Sequence, residues 1–172
     1  LDGEFLSCDK ETAAPPWTTL RTLEEASRQF ENDESLNEKW LNQLLRPGSS
    51  LGGARPKATV TDTEGQLWIA KFPSKNDENN TGAWEKVASD LARLCGLNVP
   101  ESKVEKFSKY GSTFLVKRFD RDKKKRIHFA SAMTLLGKTD GASAADGSSY
   151  LDIASFIKSS GSNPKDDLVE LW

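Results

Sequence analysis

Residues 58–72 read "ATVTDTEGQLWIAKF", and the reading of this stretch decides the fold. Threonine, valine, isoleucine and aromatic residues flank Asp62-Thr63-Glu64-Gly65, a run of turn formers. β-Branched and aromatic side chains favour a pleated strand, so residues 58–61 and 66–72 are predicted to form a hairpin. The second strand carries Lys71 near its end. Just upstream stands "SSLGGARPK", residues 49–57, with two hydroxyls, two glycines and two cations. Glycines let a backbone come close to a ligand, and neighbouring cations favour an anionic one. The loop matches neither G-x-G-x-x-G nor G-x-x-x-x-G-K-[ST], so an ordinary turn stays open as its reading.

Outward from the hairpin, the pattern alternates between helix and strand. Trp17, Leu20, Leu23 and Phe30 share one face of a helix predicted to run to about Asn32, with a capping box at Thr22 to Glu25. A second capping box, Ser35 to Glu38, opens a short helix bearing Trp40, Leu41, Leu44 and Leu45, which Pro47-Gly48 ends. Beyond the hairpin a polar loop leads to a helix over residues 83–95. Its apolar face is Trp84, Val87, Ala88, Leu91 and Leu94, and Gly96 is suited to follow its end. Strands are predicted over residues 97–107 and 112–119. Shorter helices follow: one over 130–136, one capped by Ser149 and reaching Ser159, and one begun by Asn163-Pro164. This last helix breaks off on apolar residues, so more protein is expected beyond Trp172.

Bulk properties narrow the classes. A chain of 172 residues is long enough for a packed core. Its formal charge of −2 gives no support to general nucleic-acid binding. The basic run Lys123 to Arg126 reads as a solvated hairpin tip rather than a nucleic-acid contact. No apolar run approaches the ~20 residues of a membrane span, so no membrane partner is expected. The start at Leu1, without methionine, suggests a cut or processed end. Cys8 and Cys95 have no metal-ligand spacing and no secretory context, so reduced thiols and a cytoplasmic setting are expected. His128 is the single histidine, which argues against a zinc site or a Ser-His or Cys-His pair.

The order of parts says more than any one of them. A glycine loop enters a hairpin, the second strand carries Lys71, a helix with Glu85 in its first turn follows, and then the strand "TFLVKRF". That is the layout of a protein-kinase N-lobe, where a loop covers ATP phosphates, a strand lysine grips them and a helix glutamate holds the lysine. Taken singly, Lys71 reads as a solvent-facing strand lysine and Glu85 as a favourable helix acid. The expected fold is therefore α+β: a small, mostly antiparallel sheet with the helix at 84–95 packed on it, two helices before it and the helical start of a second lobe after it. The boundaries expected are 1–46 for the N-terminal helical segment, 47–128 for the ATP-binding lobe and 129–172 for the start of the next.

Five motifs in order carry a closer likeness: "SSLGGARPKA" (49–58), "LWIAKFPS" (67–74), "WEKVASDLARLCGLNVPE" (84–101), "FLVKRFDR" (114–121) and "RIHFASAMTLLG" (126–137). Together they resemble the HipA-like serine/threonine kinases of bacterial toxin–antitoxin systems, from about Pro15 to Trp172. The resemblance implies that Ser50, Leu51, Gly52, Gly53, Ala54, Arg55 and Lys57 belong to a phosphate-binding loop, with Ser50 as an autophosphorylated serine. It implies that Lys71 contacts phosphate, that Glu85 is the helix acid, that Lys117, Arg118 and Phe119 meet adenine through their backbone, and that Asp120 lies beside the ribose. ATP and Mg2+ are the implied cofactors, with the Mg2+ ligands expected beyond Trp172. A HipB-like antitoxin is the implied partner, DNA is reached only through it, and the protein substrate resembles an aminoacyl-tRNA synthetase.

The chain departs from that family in its catalytic loop, in the later magnesium-binding aspartate and in the small N-terminal subdomain, all of which are missing from this sequence. No Asp-x-His-x-x-Asn loop is present, since His128 sits in "RIHFAS", and no catalytic residue is assigned within these residues. Two functions are therefore expected to compete. One is the ATP-gripping part of a HipA-type kinase, inactive without its catalytic loop and causing growth arrest when complete. The other is a non-catalytic, kinase-derived module that binds nucleotide or a partner.

Overall fold

The computed structural model describes residues 14–32, 55–122 and 125–172. Ser50, Leu51, Gly52, Gly53 and Ala54 of the expected phosphate loop, the helix expected after Ser35, and Cys8 lie outside the described residues. The fold is α+β, with a four-stranded antiparallel sheet and five α-helices among the described residues. It divides into two compact units, Leu1–Ile127 and His128–Trp172.

In the first unit, helix α1 (Leu20–Glu31) continues directly from a single 3-10 turn, Trp17–Thr19. The chain is already wound before Thr22, so the capping box expected there falls inside the helix. Thr19 Oγ1 donates instead to the carbonyl of Pro16 (2.7 Å). The sheet follows: β1 (Lys57–Thr61), β2 (Leu67–Lys71), β3 (Ser102–Glu105) and β4 (Thr113–Lys117), in the order β1-β2-β4-β3 with every pair antiparallel. The β1–β2 turn is fixed by Asp62, whose carboxylate accepts from the N–H groups of Glu64 and Gln66 and from the Trp68 indole (2.8–2.9 Å). The strand expected over 97–107 narrows to β3, because Leu97 is still tied to the preceding helix by its N–H to the Ala92 carbonyl (3.0 Å). A short ladder of β5 (Arg121–Asp122) and β6 (Lys125–Arg126) ends the unit, and Lys125 and Arg126 of the basic run are exposed there.

Period-two alternation sorts the sheet into two faces. On one, Ala58, Val60, Trp68, Ala70, Phe72 and Leu115 are buried with Leu20 and Leu23 of α1, and Trp17 and Phe107 pack against this core. The helix expected as a separate N-terminal segment thus shares its core with the sheet. On the other face stand Lys57, Thr59, Ile69, Lys71, Phe114 and Val116, in register across three strands.

Helix α2 (Thr81–Leu94) packs over β3 and β4 on that second face, but not with the side that its hydrophobic pattern picks out. Trp84, Val87, Leu91 and Leu94 are exposed, at 64%, 45%, 57% and 83%, and Ala88 is exposed as well. The sheet side carries Gly82, Glu85 and Ser89: Gly82 is buried, and Ser89 Oγ hydrogen-bonds Ser102 Oγ (2.8 Å). The helix docks through small and polar groups because its N-terminus must come very close to the β3–β4 connection. Asn80 caps Ala83 N–H, accepts from Ser112 N–H (2.9 Å) and donates to Ser112 Oγ (3.0 Å). Past the other end of α2, Gly96 takes a left-handed φ of 83°, as the sequence suggests.

The second unit holds α3 (Ala132–Leu135), a 3-10 turn (Ala144–Asp146), α4 (Tyr150–Ser160) and α5 (Pro164–Leu171), with α4 and α5 in contact. The Ser149–Asp152 capping box forms as expected. Asn163 precedes Pro164 but does not cap with its side chain; it donates to Asp166 instead (2.7 Å).

A methyl group on Gly82 would lie 1.9 Å from the Ser112 carbonyl oxygen, a backbone atom that cannot step aside. Alanine gains about 1 kcal/mol of helix propensity, while overpacking costs about 1–3 kcal/mol. Gly82→Ala is therefore expected to lower unfolding free energy in urea, and a rise in stability would show that α2 does not sit this close.

Candidate functional site

The second face of the sheet carries the candidate site, and its most unusual feature is a pair of cations. Lys57 on β1 and Lys71 on β2 are direct antiparallel partners. Like charges opposite one another in a sheet repel, so something must compensate. Part of the compensation is Glu85 of α2, whose Oε2 accepts from Lys71 Nζ at 2.5 Å, with both side chains about one-third exposed or less. Glu85 stands in the second turn of α2 rather than the first, since the helix begins at Thr81. Lys71 Nζ also lies 5.5 Å from the centre of the Phe114 ring. Burial, followed by the charges of Lys71 and Arg55, pulls Lys57 below the ordinary lysine range.

Arg55 enters the site from the expected phosphate loop but is engaged elsewhere. Its Nη1 and Nη2 donate to the two oxygens of Asp77 at 2.5 and 2.6 Å, a bidentate pair. Asp77 further accepts from Ser74 N–H (2.9 Å) and Thr81 Oγ1 (3.1 Å). Arg55 therefore fastens the end of its loop to the start of α2, a role that the sequence alone does not reveal. Burial by itself would raise the Asp77 carboxyl, but the Arg55 and Ser74 hydrogen bonds outweigh it and hold the group below the usual range. Arg55, Lys57 and Lys71 thus bring three cations to this end of the sheet, with Asp77 paired to Arg55 and Glu85 to Lys71.

Lys117, Arg118, Phe119 and Asp120 lie at the other end of β2. Lys117 pairs with Trp68, and Arg118 N–H donates to the Leu67 carbonyl (2.9 Å). At ~3.3 Å per residue, the four-residue rise of β2 separates them from Lys71 by about 13 Å. Phe119 is 60% exposed, whereas Arg118 and Asp120 are buried. Both Asp120 oxygens accept from Arg118 (2.8 and 2.7 Å), and Oδ2 accepts from Arg121 as well (2.5 Å). Between the two ends lies a row that sequence reasoning passed over: Thr59, Ile69 and Val116, mutual partners across β1, β2 and β4 and all half-buried. The signal for it was present, since these are the residues that alternate with the core set.

The family model of the HipA-like C-terminal domain matches residues 49–172. The chain belongs to that family. No curated protein matches the chain. Within this HipA-like domain the match takes in the hairpin, α2, β3 to β6 and the whole second unit. Among the described residues no helix is long and apolar enough to cross a membrane, and no group of three or more His, Cys, Asp or Glu residues is placed to hold a metal ion. His128 and Cys95 are exposed.

Three aspartates of the first unit, Asp62, Asp77 and Asp120, are held below the usual carboxylate range. Each binds a proton less readily folded than unfolded. Their stabilisation is complete above the ordinary aspartate value of ~3.9 and is lost as pH falls through the lowered folded values. Unfolding free energy in urea is expected to drop steeply below about pH 4. Asp77→Asn is expected to reduce it at pH 7 and to flatten that drop; an acid slope as steep as the wild type's would remove Asp77 from this account.

Proposed function

We propose that the Lys57–Lys71 face holds the phosphates of ATP and that the chain supplies the nucleotide-gripping part, a kinase-like N-lobe, of a HipA-type serine/threonine protein kinase. The observation that carries this reading is the cross-strand lysine pair with one member braced by Glu85. A bridging polyphosphate relieves the repulsion between two lysines that the register forces together. Lys71, drawn toward Glu85, is held at a fixed position from which to meet it, so that little reorganisation is needed when charge develops on the phosphoryl group.

The dimensions support the same ligand. The span of β2 is comparable with the reach from a purine to the terminal phosphate of an extended nucleoside triphosphate. The half-buried row of Thr59, Ile69 and Val116 lies between the two ends and offers a largely apolar floor for base and sugar. The backbone of Lys117, Arg118 and Phe119 then stands at the base end. Asp77 and Glu85 are engaged by Arg55 and Lys71. Magnesium, which accompanies the triphosphate in phosphoryl transfer, therefore finds no holder among the described residues.

In this reading the complete kinase breaks the bond between the γ-phosphorus and its bridging oxygen, forms a new one to a serine oxygen of a protein, and releases the serine proton. This chain contributes binding and orientation. Ser50 is proposed as the site whose phosphorylation would bring nearly two negative charges into the loop ahead of Arg55 and compete with ATP for the lysines. Membership of the HipA-like family implies, in general, a HipB-type antitoxin as partner. An aminoacyl-tRNA synthetase as substrate, growth arrest as outcome and a cytoplasmic setting complete the proposal.

Calorimetric titration of the chain with ATP tests it. Lys71→Ala is expected to weaken binding at least tenfold, about 1.4 kcal/mol or more, and Glu85→Ala to weaken it less, since the lysine remains. Wild-type affinity in Lys71→Ala, or no binding by the wild type, would sink the proposal.

A further inference from the structure

The segment that connects β4 to β5 contains a polar cluster that phosphate or base binding does not use. Asp120 is 5% exposed and Arg118 is 8% exposed. The carboxylate accepts from Arg118 Nε on Oδ1, and on Oδ2 from Arg118 Nη2 and from Arg121 Nη1. A carboxylate offers about four lone-pair sites; three are filled and the group is out of solvent. Its carbonyl is engaged as well, accepting from Arg121 Nη1 (2.8 Å) and from Ile127 N–H (3.0 Å). The hydrogen bonds of Arg118, followed by its charge and that of Arg121, outweigh burial and keep the carboxyl ionised well below the usual range.

From this geometry we infer that Asp120 is a positioning residue: it clamps Arg118 and Arg121 to fix the end of β4, the start of β5 and the Ile127 amide, and does not meet the ribose. The clamp has a mechanical logic. Arg118 and Asp120 are drawn to the buried side, so the residue between them, Phe119, is left exposed at the lip of the sheet. The strand end is tied at both sides: back to β2 through Arg118 N–H to Leu67 O, and forward to the last residue of the first unit through Ile127 N–H to Asp120 O. Removing the carboxylate takes the shared counter-charge from the buried Arg118 and the half-buried Arg121, a destabilising change for the local structure.

The statement about the sugar rests on the ATP reading of the preceding section; the statement about the clamp does not, and the experiment separates them. Amide hydrogen exchange is measured on the full chain carrying Asp120→Asn, alongside the affinities of both proteins for ATP, 2′-deoxy-ATP and 3′-deoxy-ATP. The amides of Arg118 and Ile127 are expected to exchange at least about tenfold faster in the variant, while the three nucleotides weaken by one common factor. Unchanged protection at both amides overturns the clamp. Loss of the wild type's discrimination between ATP and its deoxy analogues, confined to the variant, overturns the exclusion of Asp120 from the ribose. If the wild type binds none of the three, the ATP reading falls and the exchange result alone decides the clamp. Should Asp120→Asn fail to fold, Arg118→Lys keeps the charge without the planar fork. It is expected to release the Ile127 amide while the β4 amides stay protected, and protection equal to the wild type's at Ile127 again overturns the clamp.

Discussion

Two lysines held face to face across an antiparallel ladder are an electrostatic problem, and much of the first unit is arranged around it. The register of β1 and β2 places Lys57 against Lys71, and that register is set by the Asp62 turn and by the burial of Val60 against Trp68 on the other face. Slipping the pair by one residue would relieve the lysines only by turning the core set outward. The lysines are therefore held together by hydrophobic burial, with Glu85 bracing Lys71. Like charges held opposite one another cost stability in the free protein, and in the proposed reading a bridging polyphosphate would restore it.

Helix α2 is the second element on which the site depends. Its position is determined at its N-terminus, where Gly82 allows contact with the Ser112 carbonyl and Asn80 bonds Ser112 at two points. The Arg55–Asp77–Thr81 chain of hydrogen bonds ties the same end to the strand entrance. With its start fixed in this way, Glu85 falls within reach of Lys71 and Ser89 within reach of Ser102. The brace on Lys71 is thus a consequence of backbone packing several residues away.

Much of this was legible in the sequence, for identifiable reasons. The hairpin announced itself because β-branched and aromatic residues flank an Asp/Gly turn, and those signals are local. The Lys71–Glu85 pair emerged from the order of elements, since neither residue is unusual alone. The seating of α2 was not legible. Its strongest periodic signal, the stripe of Trp84, Val87, Leu91 and Leu94, marks the exposed side, and the docked side is made of Gly82, Glu85 and Ser89, whose partners are remote in sequence. The ion pairs of Arg55 and Asp120 were not legible either. A charged residue looks available until its counter-ion is located, and Asp77 stands 22 residues from Arg55. For Arg118 and Asp120 the partner is nearby, but the burial of the pair has no local signature.

Family membership and geometry meet at one claim, that Lys57 and Lys71 contact phosphate together. Lysine acylation footprinting with mass-spectrometric readout tests it most directly, by comparing the labelling of each side chain in the full chain with and without ATP. The account predicts that ATP protects Lys57 and Lys71 in concert, over one concentration range, while exposed lysines such as Lys109 are labelled as before. Protection of neither lysine, or of Lys71 alone with Lys57 labelled at its original rate, would contradict it.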